Sequence, residues 1–569
     1  MGGTQGEEVM IHYRWLVVCV SLFAFAQVHA DGISSRAPGK AAIASAHPLA
    51  TQAGMDIIKR GGNAFDAAVA ITAALAVVEP NSSGLGGGGF YLLHRANDNS
   101  NVFVDARETA PAAATRDMFL DKDGNVIEGA SRDSAKAAGI PGEVAAMAHL
   151  AERYGKLPLR TSLQPAIKLA HDGFSLYPRL RGIIDFSKGK LKKSPIAARS
   201  FLQNGETPAL GFKVKQPQLA KTLQLIADKG SKEFYEGELA KQMVKSVREQ
   251  GGIWSESDLK NYRISERVPL TGKYHDATII TAPPPSSGGV ALIDILNILS
   301  GYDFSKVDSA TRKHLIIESM RRAYRDRGQY LGDPDFVHMP IDVLTNPYYA
   351  AGQRSSINLS KATPSALLPD ISDTALESPQ TTHFSVIDAN GNRVAATITV
   401  NLGFGSGLML GNTGVFLNNE MDDFSVKAGV PNAFKLIGND ANAIAPNKRM
   451  LSSMSPTFVE TDKGVLILGT PGGSRIISMV LIGMLDWLDG NDAMHVVSTR
   501  RYHHQYLPDV VTYEPGAFSD EEINSLKQRG HQLREITTYG NMEAVTWQYD
   551  GDKVEAASDP RGDGVGWVY

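Results

Sequence analysis

Thr381 stands where the chain changes texture. The polar run Ser378, Pro379, Gln380 gives way to Thr381–Asp388 (TTHFSVID), whose alternation reads as a strand. A threonine hydroxyl is a weak nucleophile until a base sits beside it. If the chain is cut between Gln380 and Thr381, the freed α-amine can serve as that base. Its ordinary pKa of about 7.7 to 8.0 lets it take the hydroxyl proton near neutral pH with no histidine. On that reading the chain is a zymogen. Taken alone, Thr381 is more readily an ordinary strand threonine than a nucleophile, so the rest of the chain has to decide.

Other chemistries find little support. Gly84–Gly89 (GLGGGG) matches GxGxxG, but it leaves a helix and opens a strand, the reverse of a dinucleotide loop. Four consecutive glycines fit a tight turn with close backbone approach better. No GxSxG or HExxH occurs. His503 and His504 lack cysteine or histidine company in the sequence, so packing and hydrogen bonding are expected of them, and no metal. More informative are four polar islands after the connector that precedes Thr381. These are Thr399–Asn401, Asn418–Phe424 with three carboxylates in four residues, Leu451–Pro456, and Gly469–Arg475. The last opens a helix and offers backbone N–H groups to an anion. Each is more often structural than functional, but together they suit a site holding both a cationic amine and a carboxylate.

The elements that must position these residues fall in two blocks. Before the connector, Thr51–Arg60 and Ala64–Val78 read as helices and Phe90–His94 and Val102–Val104 as short strands. The middle, from about Gly142 to Asp333, reads mostly helical, with Glu143–Tyr154, Pro217–Asp228, Glu238–Glu249, Gly288–Ser300 and Ser309–Arg327 as its helices. Asn346–Gln380 lacks periodicity and reads as a flexible connector. Beyond it Thr382–Ile387, Val394–Thr399, Gly414–Leu417, Thr457–Glu460 and Val465–Leu468 read as strands, followed by a helix over Arg475–Leu488. Helices feeding strands and then strands feeding helices suit two sheets covered by helices on both outer faces.

The composition is that of a globular protein: 569 residues, 43% hydrophobic and 21% charged, with a formal net charge of -4. The 57 Lys and Arg are dispersed, and the densest run, Lys188–Lys193 (KGKLKK), reads as a solvated face, so no nucleic-acid partner is expected. Trp15–Ala26 is an apolar stretch after Arg14 and before Val28, His29, Ala30, which reads as a secretory signal over residues 1–30, too short to span a bilayer. Glu7 and Glu8 sit oddly ahead of it, and a start at Met10 gives a more usual signal. The single cysteine, Cys19, lies inside the signal, and Leu16–Cys19 makes a poor lipid-attachment site. An exported mature chain without thiols, disulfides or a stable membrane anchor, periplasmic or extracellular, is expected.

From about Ala37 to its C-terminus the chain resembles the γ-glutamyltransferase (γ-glutamyltranspeptidase) family of N-terminal-nucleophile hydrolases. The matching stretches include Pro80–Phe90 (PNSSGLGGGGF), Asp105–Pro111 (DARETAP), Gly139–Gly142, Ala282–Gly289 (APPPSSGG), Thr381–Asp388, Asn418–Phe424 (NNEMDDF), Gly438–Pro446, Leu451–Thr457 (LSSMSPT), Gly469–Ile476 (GTPGGSRI) and Arg501–Pro508 (RYHHQYLP). The resemblance implies a mixed α/β (α+β) fold, a four-layer αββα sandwich. It implies a precursor cut between Gln380 and Thr381 into a large subunit (31–380) and a small one (381–569) that stay in one globule. It makes Thr381 the nucleophile and, through its amine, the general base. Thr399 would hydrogen-bond the Thr381 hydroxyl, and Gly472 and Gly473 would hold the oxyanion. Arg107 with Ser452 and Ser453 would bind the α-carboxylate of a γ-glutamyl donor, and Asp423 with Asn401 and Glu420 its α-ammonium. The acyl group would pass to water, an amino acid or a peptide, with no cofactor. One departure concerns a lid loop that carries a tyrosine in many bacterial members, where this chain has Phe434.

Two alternatives remain at the level of sequence. A glutaryl-cleaving acylase of the same fold, as cephalosporin acylases are, would leave Asp423 without an ammonium partner. An exported binding protein that kept the fold and lost catalysis would have no need of an oxyanion hole at Gly472 and Gly473.

Overall fold

The computed structural model describes residues 36–368 and 381–569, so the expected signal, Cys19 and Gln380 lie outside the described residues. One compact unit spans Ala37–Tyr569. Its centre is a pair of antiparallel sheets. In the first, the strands follow the order Val565–Val568, Ala42–Ser45, Thr382–Ile387, Arg393–Thr399, Gly88–Arg95, Ser100–Ala106, Ser265–Arg267. In the second the order is Lys553–Ser558, Glu543–Gln548, Gly464–Gly469, Thr457–Glu460, Ala277–Thr281, Leu270–Tyr274.

Side-chain alternation explains the layering. In the first sheet Ile43, Tyr91, Leu93, Phe384, Val386, Val394 and Ile398 pack toward the helices Pro48–Lys59, Ala64–Val78 and Glu143–Arg153. Their neighbours Ala42, Ala44, Phe90, Leu92, Ile387 and Ala395 face the other way, into a core shared with Ile279, Phe458 and Leu466 of the second sheet. The helices Gly288–Leu299, Ser309–Tyr330 and Ile476–Leu488 belong to that second core. The result is the αββα sandwich.

The glycine run behaves as a close-approach turn. A Cβ on Gly86 would lie 1.9 Å from the Phe416 carbonyl oxygen, and one on Gly87 2.0 Å from that of Thr399. The run can therefore lie flat against the end of the Arg393–Thr399 strand, and Gly88 begins a strand of its own.

One expectation is refined and one corrected. The middle block is not only helical: Ser265–Arg267, Leu270–Tyr274 and Ala277–Thr281 are strands that supply one edge of each sheet. The connector is not uniformly irregular, because Pro347–Ser355 is a helix, capped by the Asn346 side chain accepting from Tyr348 N, with proline in its first turn. Among the described residues no helix is long and apolar enough to cross a membrane.

Candidate active site

Thr381 lies one residue before the Thr382–Ile387 strand, in which Thr382 pairs with Ile398. One more step of that register sets Thr381 opposite Thr399, and their hydroxyl oxygens are 3.3 Å apart. Alternation also fixes the face. Thr382 turns to the helix side, where its hydroxyl donates to Glu79 Oε2 at 2.7 Å, so Thr381 turns inward between the sheets. Past the strand end, Asn401 takes φ +72°. Its N–H donates to Thr399 Oγ1 at 2.8 Å and its amide to the Asn419 carbonyl at 2.8 Å.

The Gly464–Gly469 strand of the second sheet leads through Gly472 to Gly473 in the same cavity wall, just ahead of the Ile476–Leu488 helix. Their φ values, +145° and +55°, lie where glycine is favoured. Added Cβ atoms would strike Met479 Cε at 2.4 Å and the Phe434 ring at 2.3 Å. The Gly472 and Gly473 N–H groups stand just ahead of a helix, a place suited to a developing negative charge.

The floor is charged. The Arg107 guanidinium pairs with both Glu420 and Asp423, Glu108 Oε2 lies 3.6 Å away, and Arg107 Nε donates to the Met450 carbonyl at 3.2 Å. Burial works against the Arg107 charge, but the three carboxylates outweigh it and hold its pKa above the usual arginine range. Burial raises Glu420 well above the ordinary carboxylate range and raises Asp423 less, with Arg107 opposing in both; Glu108 is pushed up to about 8, chiefly by burial. Asn418 holds this floor in place. Its Oδ1 accepts from Gly139 N at 2.9 Å and Glu420 N at 3.0 Å, and its Nδ2 donates to the Gly86 and Gly139 carbonyls at 2.7 and 2.8 Å. The residues expected to bind a carboxylate and an ammonium separately are thus in contact with each other.

The third carboxylate of the island has a different use. Asp422 accepts from Ser131 Oγ at 2.6 Å and from Ala433 N at 3.0 Å, so it anchors the segment carrying Phe434. Burial raises its pKa to about 6. Asn432 Oδ1 accepts from Phe434 N at 3.0 Å, and Gln505 Nε2 donates to the Lys435 carbonyl at 3.2 Å. Held this way, the buried Phe434 ring lies over Gly473.

The cavity is small, about 20 Å³, and its lining gathers Thr381, Thr399, Asn401, Arg107, Glu420, Asp423, Phe434, Ser452, Ser453 and Gly473. Gly472, next to Gly473 in sequence, is not part of that lining, and Gln380 lies outside the described residues. Sequence reasoning missed Arg327, which lines the same cavity from the last turn of the Ser309–Tyr330 helix. In sequence nothing separates it from Arg321, Arg322 and Arg325 of the same helix.

His503 and His504 pack and hydrogen-bond: His503 meets Ser478 Oγ and Gln505 Oε1, both at 2.8 Å, and His504 meets Asp509 at 3.1 Å. Sequence gave no hint that His314 and His531 meet at 2.7 Å beside Glu318. Both Glu318 oxygens are already engaged by Arg321 and Arg322 at 3.1 and 2.8 Å, so the positive charge there is supplied by the protein.

The family model described as Gamma-glutamyltranspeptidase matches residues 50–569. The chain is 43% identical over 524 residues to the glutathione hydrolase proenzyme of Escherichia coli, covering 91% of this chain and 90% of the relative. It is 37% identical over 543 residues to the glutathione hydrolase proenzyme of Bacillus subtilis, covering 92% and 90%. Among solved structures, cephalosporin acylase from Bacillus halodurans superposes with a TM-score of 0.81 at 27% identity over 93% of this chain and 95% of that one. The γ-glutamyltranspeptidase of Helicobacter pylori superposes with a TM-score of 0.56 at 41% identity over 57% of this chain and 94% of that one.

Proposed function

The chain belongs to the gamma-glutamyltranspeptidase family, and on that premise we propose that it is an exported, self-cleaving enzyme whose Thr381 carries a γ-glutamyl group from glutathione or a similar donor to water, an amino acid or a peptide. The observation that carries the reading is the meeting of the Thr381 and Thr399 hydroxyls, 3.3 Å apart, in one cavity with Arg107, Asp423 and Gly473.

In maturation, Thr381 Oγ attacks the Gln380 carbonyl, the peptide nitrogen leaves as an amine while an ester forms, and water splits the ester. This yields the subunits 31–380 and 381–569. In turnover the new amine takes the Thr381 hydroxyl proton as Oγ adds to the donor γ-carbonyl. Thr399 orients that hydroxyl, and the Gly472 and Gly473 N–H groups receive the oxyanion. The amine then returns the proton to the departing nitrogen, leaving an ester on Thr381. Attack by water or an acceptor amine retraces the path and frees glutamate or a new γ-glutamyl compound. Losing one oxyanion donor typically raises such a barrier by about 3 to 4 kcal/mol.

The donor is selected at its amino-acid end. Its α-carboxylate takes Arg107, Ser452 and Ser453, and its α-ammonium takes Asp423, Asn401 and Glu420, while the leaving group is loosely read. The likeness to a cephalosporin acylase is one of architecture. Asp423 favours glutamyl over glutaryl donors, since a glutaryl group brings no ammonium to it.

The deciding experiment is the intact mass of wild type beside Thr381→Ala, each assayed with γ-glutamyl-p-nitroanilide. The expected result is two chains, the smaller beginning at Thr381, and turnover in the wild type, against one silent chain in the variant. A folded, uncut wild type that binds the donor without turnover would make the chain a binding protein.

A further inference from the structure

Arg327 sits deep in the Thr381 cavity and, among the described residues, pairs with no carboxylate. Its neighbour Arg107 is in the opposite condition, with three carboxylates around one guanidinium. The Arg327 donors go instead to serines. Nη2 donates to Ser453 Oγ at 3.2 Å and Nε to Ser287 Oγ at 2.9 Å. Ser287 in turn donates its hydroxyl to the Ser452 carbonyl at 2.7 Å, and its N–H donates there at 2.8 Å. One guanidinium therefore grips the Ser453 side chain directly and the Ser452 backbone through one intermediary.

The consequence is directional. A hydroxyl has one proton and two acceptor sites, and an arginine can only donate. With Arg327 donating into Ser453 Oγ, the serine proton must go elsewhere, which makes Ser453 a donor to whatever acceptor enters the cavity. The arginine adds a positive charge that no protein carboxylate neutralises at contact distance, in a setting where burial draws its pKa down to about 10. One turn earlier on the same helix, Tyr324 Oη donates to the Ser474 carbonyl of the oxyanion turn. The end of the helix thus braces both the serine pair and the turn beside Gly473.

We propose that Arg327 is the positioning residue for recognition of the donor α-carboxylate, orienting Ser453 as a hydrogen-bond donor and adding a second cationic charge beside that of Arg107. This rests on the γ-glutamyl reading above and adds a residue to it.

The test compares three p-nitroanilide donors on the processed enzyme: γ-glutamyl, with carboxylate and amine; glutaryl, with the carboxylate alone; and 4-aminobutanoyl, with the amine alone. In Arg327→Met, the kcat/KM ratio of γ-glutamyl to 4-aminobutanoyl is expected to fall about 10- to 100-fold, mainly through KM, as for loss of a charged hydrogen-bonding group. The glutaryl to 4-aminobutanoyl ratio is expected to fall equally, and Arg327→Lys should recover part of both. Equal losses on all three donors in either variant, or losses confined to kcat, would overturn the proposal and leave Arg327 a structural brace. If Arg327→Met does not fold or self-cleave, the same ratios measured on Arg327→Lys alone decide between the two roles. A wild type that turns over no γ-glutamyl donor would defeat the underlying functional reading instead.

Discussion

Arg107 and Asp423 hold each other at the floor of the cavity, so a γ-glutamyl donor bound as proposed would have to part them and put its own two charges in their place. A zwitterion satisfies both sides of the broken pair, whereas a donor with a single charge strands one buried ion, at a cost of several kcal/mol. Asp423→Asn is accordingly expected to raise KM about 100-fold for γ-glutamyl-p-nitroanilide and no more than about threefold for the glutaryl analogue. Steady-state kinetics on both donors checks this, and equal shifts would count for the acylase reading. Part of this floor was legible in sequence. The run Asn418–Phe424 announces itself by carboxylate density, but density does not say which carboxylate faces the cavity. Asp422 is turned away to Ser131 and Ala433, a choice made by the 3-10 turn over Glu420–Asp423. Arg327 escaped notice because its helix carries several arginines and only packing distinguishes the one that reaches Ser453.

At the scale of elements, the segment around Phe434 closes a space of about 20 Å³, room for about one water and far too little for a glutamyl group. On the proposed reading this segment would have to give way for a donor to enter. Phenylalanine can cover the cavity but lacks a hydroxyl to latch it, so Phe434→Tyr is expected to shift the ratio of transfer to hydrolysis, measured with glycylglycine as acceptor; an unchanged ratio removes the idea. A second prediction concerns the helix Glu143–Arg153. Burial raises Glu143 from 4.5 to about 8, against its 2.6 Å hydrogen bond from Tyr91 Oη. The folded chain then keeps a proton that the unfolded chain has released. This contribution to stability is complete below pH 4.5 and is lost as the pH rises through 8. Glu143→Gln should therefore gain in Tm relative to wild type from pH 5 to pH 9, by a few degrees. A difference that does not change with pH would contradict the assignment. Elements with strong periodicity were readable to the residue, as at Ala64–Val78, Glu238–Glu249, Thr382–Ile387 and Thr457–Glu460. Ala42–Ser45 and Val565–Val568 were not, being four residues each and strands by virtue of the neighbours they pair with.

For the whole molecule, a cut before Thr381 would sever the chain without separating its layers. In the first sheet Ala42–Ser45 is paired on one side with Val565–Val568 and on the other with Thr382–Ile387, and Arg393–Thr399 is paired with Gly88–Arg95. The second sheet joins Thr457–Glu460 to Ala277–Thr281. Strands from either side of the cut thus alternate within one hydrogen-bonded fabric. The two products are expected to elute together in gel filtration and to separate only in denaturant. Separate elution under native conditions would contradict the interleaved arrangement.

The same interleaving bears on time rather than on form. An uncut chain finds its partner strands as a unimolecular search, whatever its concentration. Once cut, neither piece holds a complete sheet, and rebuilding the first sheet becomes a bimolecular encounter between two fragments with exposed strand edges, in competition with aggregation. The processed enzyme would persist because it is slow to come apart and not because it can re-form, with a working lifetime set by its unfolding rate. Folding would then be an event that each copy undergoes once, before its own scission.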